Sequence, residues 1–514
     1  MISKLIFITF VTQVLSSVFH GKISSVIVDR DPDRDRDFYG DGDGDFHGYG
    51  YRYRDGDDYG DASYHLVLHS FAQSYFLNVG SHKRNIPIGS FVRIHGTLNR
   101  TTNTINVSKW EPQRTFRQSQ RTFRQPQRTF RQPQRTFRQS QRIFRKKMTR
   151  NLLGVFYMNM TGNACGLNGV QQPCQHCFTN IDQIHNIFYK DSNKNVKDFY
   201  VEVSDGLVNF TVDSTTIFNV NNITEGPTDL YESVDSIIKD KIGVNVKDFD
   251  FVVFIFPWNW NHVPPLNSFL VRGVAETGGT RSWIITCRMD TILHELGHNF
   301  NFGHANAFNE KGEKRFCADS SSVMGCTIDV AKRGINSIHR YRAGWLKEEY
   351  IIRPKGIGSW KLHPLSVLND TAAIILEYDS KNHNDTFVPA KDSEQYFIEY
   401  RERISYDGEL GYSRKNVLPQ GRYYNTILIL QLDILTSYYN REDTSLLAVL
   451  ELNEEFSIEN RIFIKHSVTN GNVSISTESS AIPVTVTFPA QAQSTASHLV
   501  IYIVFLCLMS VIFT

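Results

Sequence analysis

Residues 294–304 read His294-Glu295-Leu296-Gly297-His298-Asn299-Phe300-Asn301-Phe302-Gly303-His304. Residues four apart share one face of a helix, so His294 and His298 are placed to grip a single metal ion together. Glu295 lies beside the first of them, where a carboxylate takes a proton from water at the metal without binding the metal itself. His304 follows six residues after His298 and reaches the same ion only if the helix stops between them. Asn301 is the expected stop, because asparagine tolerates the left-handed backbone that ends helices. Three neutral imidazoles leave a fourth tetrahedral position open, the catalytic rather than the structural form of a zinc site. The expected cofactor is therefore one Zn2+ ion on His294, His298 and His304, with Glu295 as the catalytic residue.

Twenty residues past His304, the stretch Asp319-Ser-Ser-Ser-Val-Met324-Gly325 sets a methionine in a turn of small residues. With the histidine motif, this turn resembles the metzincin zinc peptidases, which carry His-Glu-x-x-His-x-x-Gly-x-x-His and a methionine turn beneath the metal. The chain departs at Asn301, where that family has glycine. The closer resemblance is to the gametolysin-type peptidases, in HELGHNFNFGHA (294–305), VMG (323–325), HRYRAGWL (339–346), YVEVSDG (200–206) and YFIEYR (396–401). It spans roughly 151–477 and is sharpest at the zinc motif and the turn. Some members have glutamine at the first ligand, whereas this chain keeps His294. Cys326 stands two residues past Met324, where astacin-type enzymes place a tyrosine, so no fifth, tyrosyl ligand is expected.

The resemblance implies an α+β metzincin-like catalytic domain, with a twisted sheet, an active-site helix and a Met-turn at Met324. It implies hydrolysis of peptide bonds in extracellular or cell-surface proteins, among them matrix or wall glycoproteins. A surface adhesion protein that keeps the fold and the zinc but hydrolyses little is the alternative.

Around this centre the chain divides by texture. It has 514 residues, 41% of them hydrophobic, which excludes global disorder. The formal charge of +2 hides two opposed parts: residues 1–150 hold 25 basic against 13 acidic residues, and the remainder 30 against 40. The net negative charge of the larger part argues against nucleic acid as a partner. Residues 1–17 have the early lysine, short apolar run and small residues of a secretory signal peptide. Residues 18–63 form a segment rich in Asp, Gly and Arg, read as disordered. Residues 64–111 alternate apolar and polar positions as a small N-terminal β pro-module.

Residues 112–150 are a basic linker of five heptapeptides, QRTFRQS through QRIFRKK, with 13 basic and no acidic residues. Its end, Arg142-Ile-Phe-Arg145-Lys146-Lys147, resembles a target of secretory-pathway processing proteases. The alternative is a solvated tract, 113–147, that binds acidic glycans. Residues 151–346 read as the peptidase domain, with strands at LLGVFYMNM (152–160), FYVEVSDGLVNFTV (199–212) and DFVVFIFP (250–257), and a helix in DLYESVDSIIKDKIG (229–243). Residues 347–480 form a β-rich C-terminal module read as a sandwich. Residues 481–514 end in an uncharged apolar tail behind a polar spacer, which fits a lipid-anchor signal, with a single-pass tail anchor as the alternative. Either places the protein at a cell surface and gives it a membrane partner.

Cys165, Cys174, Cys177, Cys287, Cys317 and Cys326 suit an oxidising compartment and up to three disulfides of undetermined pairing. Cys174 and Cys177 fit a disulfide better than a second zinc site, because no partner pair follows. Residues 1–164 contain no cysteine, so latency through a prosegment thiolate on the zinc is excluded. A carboxylate from the Asp-rich segment, or docking of the basic part on the acidic part, remains open.

Overall fold

The computed structural model describes residues 17–30, 63–69, 74–78, 91–99, 104–112 and most of 151–477. The expected signal peptide up to residue 16, the basic repeat with Arg142, Arg145, Lys146 and Lys147, and the apolar tail lie outside the described residues. No helix among those described is long and apolar enough to cross a membrane.

Three parallel strands build the centre. Strands β6 (Leu153–Met160), β9 (Ile217–Ile223) and β10 (Phe251–Ile255) pair in parallel around β6. Near-total burial along β6 and β10 matches a sheet covered on both faces. Strand β12 (Arg281–Ile284) runs parallel beside β10, and β11 (Val271–Glu276) turns back antiparallel at the outside of this group. Between β6 and β9 comes a short hairpin, β7 (Cys165–Leu167) with β8 (Val170–Gln172). On one face lie helices α1 (Ile181–His185, continued as a π turn to Lys190), α2 (Val196–Val203) and α4 (Met289–Asn299). Their Ile184, Phe199, Tyr200, Leu293 and Leu296 close over Val155, Val253 and Ile255. Helix α3 (Glu232–Ile242) packs Val234 and Ile238 on the opposite face, against Phe254 and Trp283.

The stretch 199–212 departs from its expectation as a strand. Val196, Phe199, Tyr200 and Val203 are buried at helical spacing, and Asn195 caps the turn by accepting from the Asp198 N–H at 2.8 Å. The aromatic and β-branched content that suggests a strand is outweighed by this cap and by burial of one stripe.

The N-terminal part also departs. Strand β1 (Ser17–Arg30) occupies the start of the segment expected to be disordered. It pairs antiparallel with β2 (Ser63–His69) and with β4 (Phe91–Asn99), while β3 (Ser74–Asn78) links β2 to β5 (Thr104–Pro112). The ring β1-β2-β3-β5-β4 closes a five-stranded barrel with one parallel pair, β3 with β5, the arrangement of OB-type barrels. The far end of β1 pairs with β11, joining barrel and central sheet.

The boundary expected at 346 does not separate two domains. Strands β13 (Phe302–Asn309), β14 (Lys314–Arg315), β15 (Ile351–Ile352), β17 (Ala373–Tyr378), β18 (Glu394–Arg401), β19 (Val417–Leu418), β20 (Thr426–Leu432) and β21 (Glu442–Leu450) form one sheet. It packs on a second sheet of β16 (Gly358–Lys361), β22 (Glu455–Ile458), β23 (Ile462–Val468) and β24 (Asn472–Ser476), through Ile398, Ile429, Ile464 and Val473. The larger of these two sheets incorporates β13, the strand that carries His304.

A buried charge network ties the sandwich to the loops below helix α4. Arg401 donates to Glu399 at 2.9 Å, to Asp407 at 2.5 Å and to the Ser321 carbonyl at 2.9 Å. Asp407 accepts from the Gly334 N–H and Glu399 from the Ser337 N–H, the first residue of helix α5 (Ser337–Ala343). Replacing Arg401 by methionine strands two buried carboxylates, so the mutant is expected to lose about 3–5 kcal/mol in chemical denaturation.

Candidate metal centre

Helix α4 is buried along its whole length from Asp290 to Asn299. His294 and His298 stand one turn apart, with ring centroids 4.7 Å apart. The helix then stops, and Asn301 takes φ 69°, the left-handed conformation expected of it. Its N–H and that of Gly278 both donate to the His298 carbonyl at 2.8 Å, so the broken helix end is satisfied. The chain reverses into β13 and brings the His304 ring 5.2 Å from His294 and 4.8 Å from His298. A tetrahedral ion with imidazole nitrogens at about 2 Å sets ring centroids about 5 Å apart. The three rings fit that requirement.

The ring tautomers fit as well. The Nδ1 of His294 lies 2.8 Å from the Val323 carbonyl, and the Nδ1 of His298 lies 2.8 Å from the Phe302 carbonyl. A carbonyl only accepts, so each Nδ1 carries the proton and each Nε2 keeps its lone pair for a metal. The Cys317–Cys326 sulfurs also lie within 4.8 Å of ring nitrogens of His294 and His304. Bonded to each other they lack the thiolate charge a metal ligand needs, which leaves the imidazoles as the candidate donors.

His304 is held by a residue that nothing in the local sequence indicates. The ladder between β13 and β21 is irregular between Phe302 and Ala305, and the buried Asp443 reaches into the gap to accept the His304 N–H at 2.9 Å. The partners are 139 residues apart.

Glu295 is fully buried, on the face of α4 that meets β11. A side chain at Gly273 would place Cβ 2.3 Å from Glu295 Oε1, so only glycine at this β11 position leaves room for the carboxylate. Tyr200 of α2 donates to the Leu293 carbonyl at 2.7 Å. Burial first, and the Glu295 charge second, hold its phenol well above the ordinary range, keeping it a donor at neutral pH.

Met324 sits beneath the helix: its Sδ would lie 2.4 Å from a Cβ at Gly297, so glycine there admits the methionine. The turn is fastened by Ala305 N–H to the Met324 carbonyl at 2.8 Å and by the Cys317–Cys326 disulfide. The other pairs are Cys165–Cys174 and Cys177–Cys287, which removes Cys174 and Cys177 from any zinc role. Trp260 is buried and stacked on Phe256, while Trp258 is exposed.

Two outcomes follow from this geometry. Asp443→Ala frees the His304 backbone and is expected to weaken zinc binding about 10–100-fold in a chelator competition. Asp319, fully buried in the Met324 turn, has its carboxyl pushed up to about 6 by burial. The folded chain therefore binds this proton before the unfolded chain does, and stability rises as pH falls through 6 toward 4. In urea melts, the midpoint of Asp319→Asn is expected to lack this component while the parent shows it. No protein-family model, curated protein or solved structure matches the chain, so the reading of this centre rests on its own geometry.

Proposed function

We propose that the chain is a zinc-dependent endopeptidase of metzincin-like fold, acting on extracellular or cell-surface proteins. The observation that carries this reading is the convergence of three buried imidazoles, 4.7–5.2 Å apart between centroids, beside a buried glutamate. His294, His298 and His304 would hold one zinc ion, which supplies Lewis acidity toward a peptide carbonyl and toward water.

The chain's own groups do the rest. Carbonyls of Val323 and Phe302 hold the first two imidazoles in the metal-ready tautomer, and Asp443 fixes the backbone of the third. Glu295 takes the proton of the attacking water as the new C–O bond forms. It returns that proton to the leaving nitrogen as the C–N bond breaks. Its burial keeps competing water from the carboxylate, and the glycine at 273 gives it a defined seat. Met324 and the disulfide beneath α4 hold the floor of the centre at constant height. Three disulfide pairs support an oxidising compartment, and with it a secreted or surface-bound protein acting on proteins outside the cell.

Glu295→Gln preserves the side-chain volume and removes the base. Hydrolysis of a broad protein substrate is expected to fall about 10²–10⁴-fold, with bound zinc unchanged by elemental analysis. A Glu295→Gln chain that keeps both its zinc and its full activity would overturn the reading.

A further inference from the structure

Strand β9 ends the order of the central sheet, and among the described residues no strand pairs with its outer side. The outer row begins earlier in the chain. Thr211 bridges in parallel to Leu152, and its carbonyl accepts from the Leu153 N–H, as the Thr216 carbonyl accepts from the Val155 N–H. Residue 211 and residues 216–223 therefore line the same side of β6.

Unpaired edge strands template other chains, and proteins guard them with charged residues, prolines or bulges. Residues 214–224, STTIFNVNNIT, contain no charged residue and no proline. A bulge is present: the register with β6 is regular from Ile217 to Val220 and shifts before Ile223. Asn222 lies in it with φ 59°, the left-handed conformation that asparagine tolerates. Lys241 of α3 donates to the Asn222 carbonyl at 2.8 Å. The residues from Ile217 to Val220 keep regular strand geometry, so the bulge guards one end only.

Both ends of this edge carry the triplet Asn-x-Thr, the acceptor sequence for N-linked sugar. Asn209-Phe210-Thr211 stands at the start and Asn222-Ile223-Thr224 at the finish. In each, the asparagine and the threonine are exposed while the middle residue is buried. The folded chain thus has room for a sugar at either amide. Asn159 heads a further triplet across the bulge, and its Nδ2 donates to the Asn221 Oδ1 at 2.8 Å.

We propose that Asn209 and Asn222 carry N-linked oligosaccharides, and that these close the outer edge of the central sheet against pairing with another chain. The donor class is an oligosaccharide on a polyisoprenyl pyrophosphate. A bond forms between the asparagine Nδ2 and the first sugar carbon as the bond from that carbon to the pyrophosphate oxygen breaks. The pyrophosphate keeps the electron pair, and one amide proton is released. A branched oligosaccharide is bulky and solubilising, which supplies the guard that residues 214–224 lack in charge. The modification needs passage through an oxidising secretory compartment, which the three disulfides support. It does not need the chain to be a peptidase.

The test compares the full chain, made in eukaryotic cells, with Thr224→Ala and Thr224→Ser. Alanine removes the acceptor triplet and serine keeps it, while both leave Asn222 in its left-handed seat. Enzymatic release of the sugars in heavy-oxygen water converts each modified asparagine to labelled aspartate, which peptide mass mapping reads. The label is expected at Asn209 and Asn222 in the parent. It is expected to vanish from Asn222 in Thr224→Ala and to persist in Thr224→Ser. Absence of the label from either asparagine of the parent overturns the proposal.

Sedimentation then reads the guarding role. Thr224→Ala is expected to form larger, concentration-dependent species that the parent and Thr224→Ser lack, with an unchanged circular dichroism spectrum. Trimming the sugars from the folded parent is expected to give the same species without any substitution, so a misfolded variant does not decide the outcome. Trimmed parent that sediments as before trimming overturns the proposal, whatever the chain hydrolyses.

Discussion

The left-handed residue at Asn301 is the constraint on which the candidate metal centre depends. Helix α4 must stop within one turn of His298, and the chain must reverse before His304, or the third imidazole points away from the other two. A positive φ at a non-glycine residue costs about 1 kcal/mol or more. Here the cost is offset where it arises, because the freed His298 carbonyl accepts two N–H groups at 2.8 Å. The reversal then feeds β13 into the sandwich sheet, where Asp443 fills the irregular ladder at His304. A local backbone choice and a long-range side chain thus fix the same atom group from opposite directions.

The floor of the centre is built by subtraction. Gly297, within the histidine-bearing helix, and Gly273, on β11, each omit a side chain so that a neighbour can enter: Met324 at the first, Glu295 at the second. Beneath Met324 the loop 319–325 is held by backbone groups, by Cys317–Cys326 and by Arg401 reaching to the Ser321 carbonyl. The charged cluster of Arg401, Glu399 and Asp407 is buried in the sandwich. It trades solvation for position, holding loops from three parts of the chain in one arrangement.

What was legible in the sequence divides by range. The histidine spacing, the helix end at Asn301, the buried strands β6 and β10 and the helix α3 rest on periodicity or local conformational preference, and they follow from short windows. The stretch at 199 was misread because its aromatic and β-branched residues satisfy a strand template, while the deciding facts were an asparagine cap and packing on α4. Asp443 was invisible, since nothing near residue 443 refers to a backbone amide 139 positions earlier. Strand β1 was hidden by the Asp-rich composition that follows it. The boundary at 346 failed because a change of texture marks where strands begin, not which sheet an earlier strand joins.

Strand β13 carries the third imidazole and is also a rung of the C-terminal sheet, paired in parallel with β21. Ligand and sandwich therefore cannot be inherited separately. A gene fragment ending with helix α4 would encode two of the three imidazoles of the candidate metal site and none of β13. In evolutionary terms the centre is not a portable cassette. Any recombination that exchanges the downstream β region must also supply a carboxylate and a parallel strand at this position, which binds the two halves into one heritable unit.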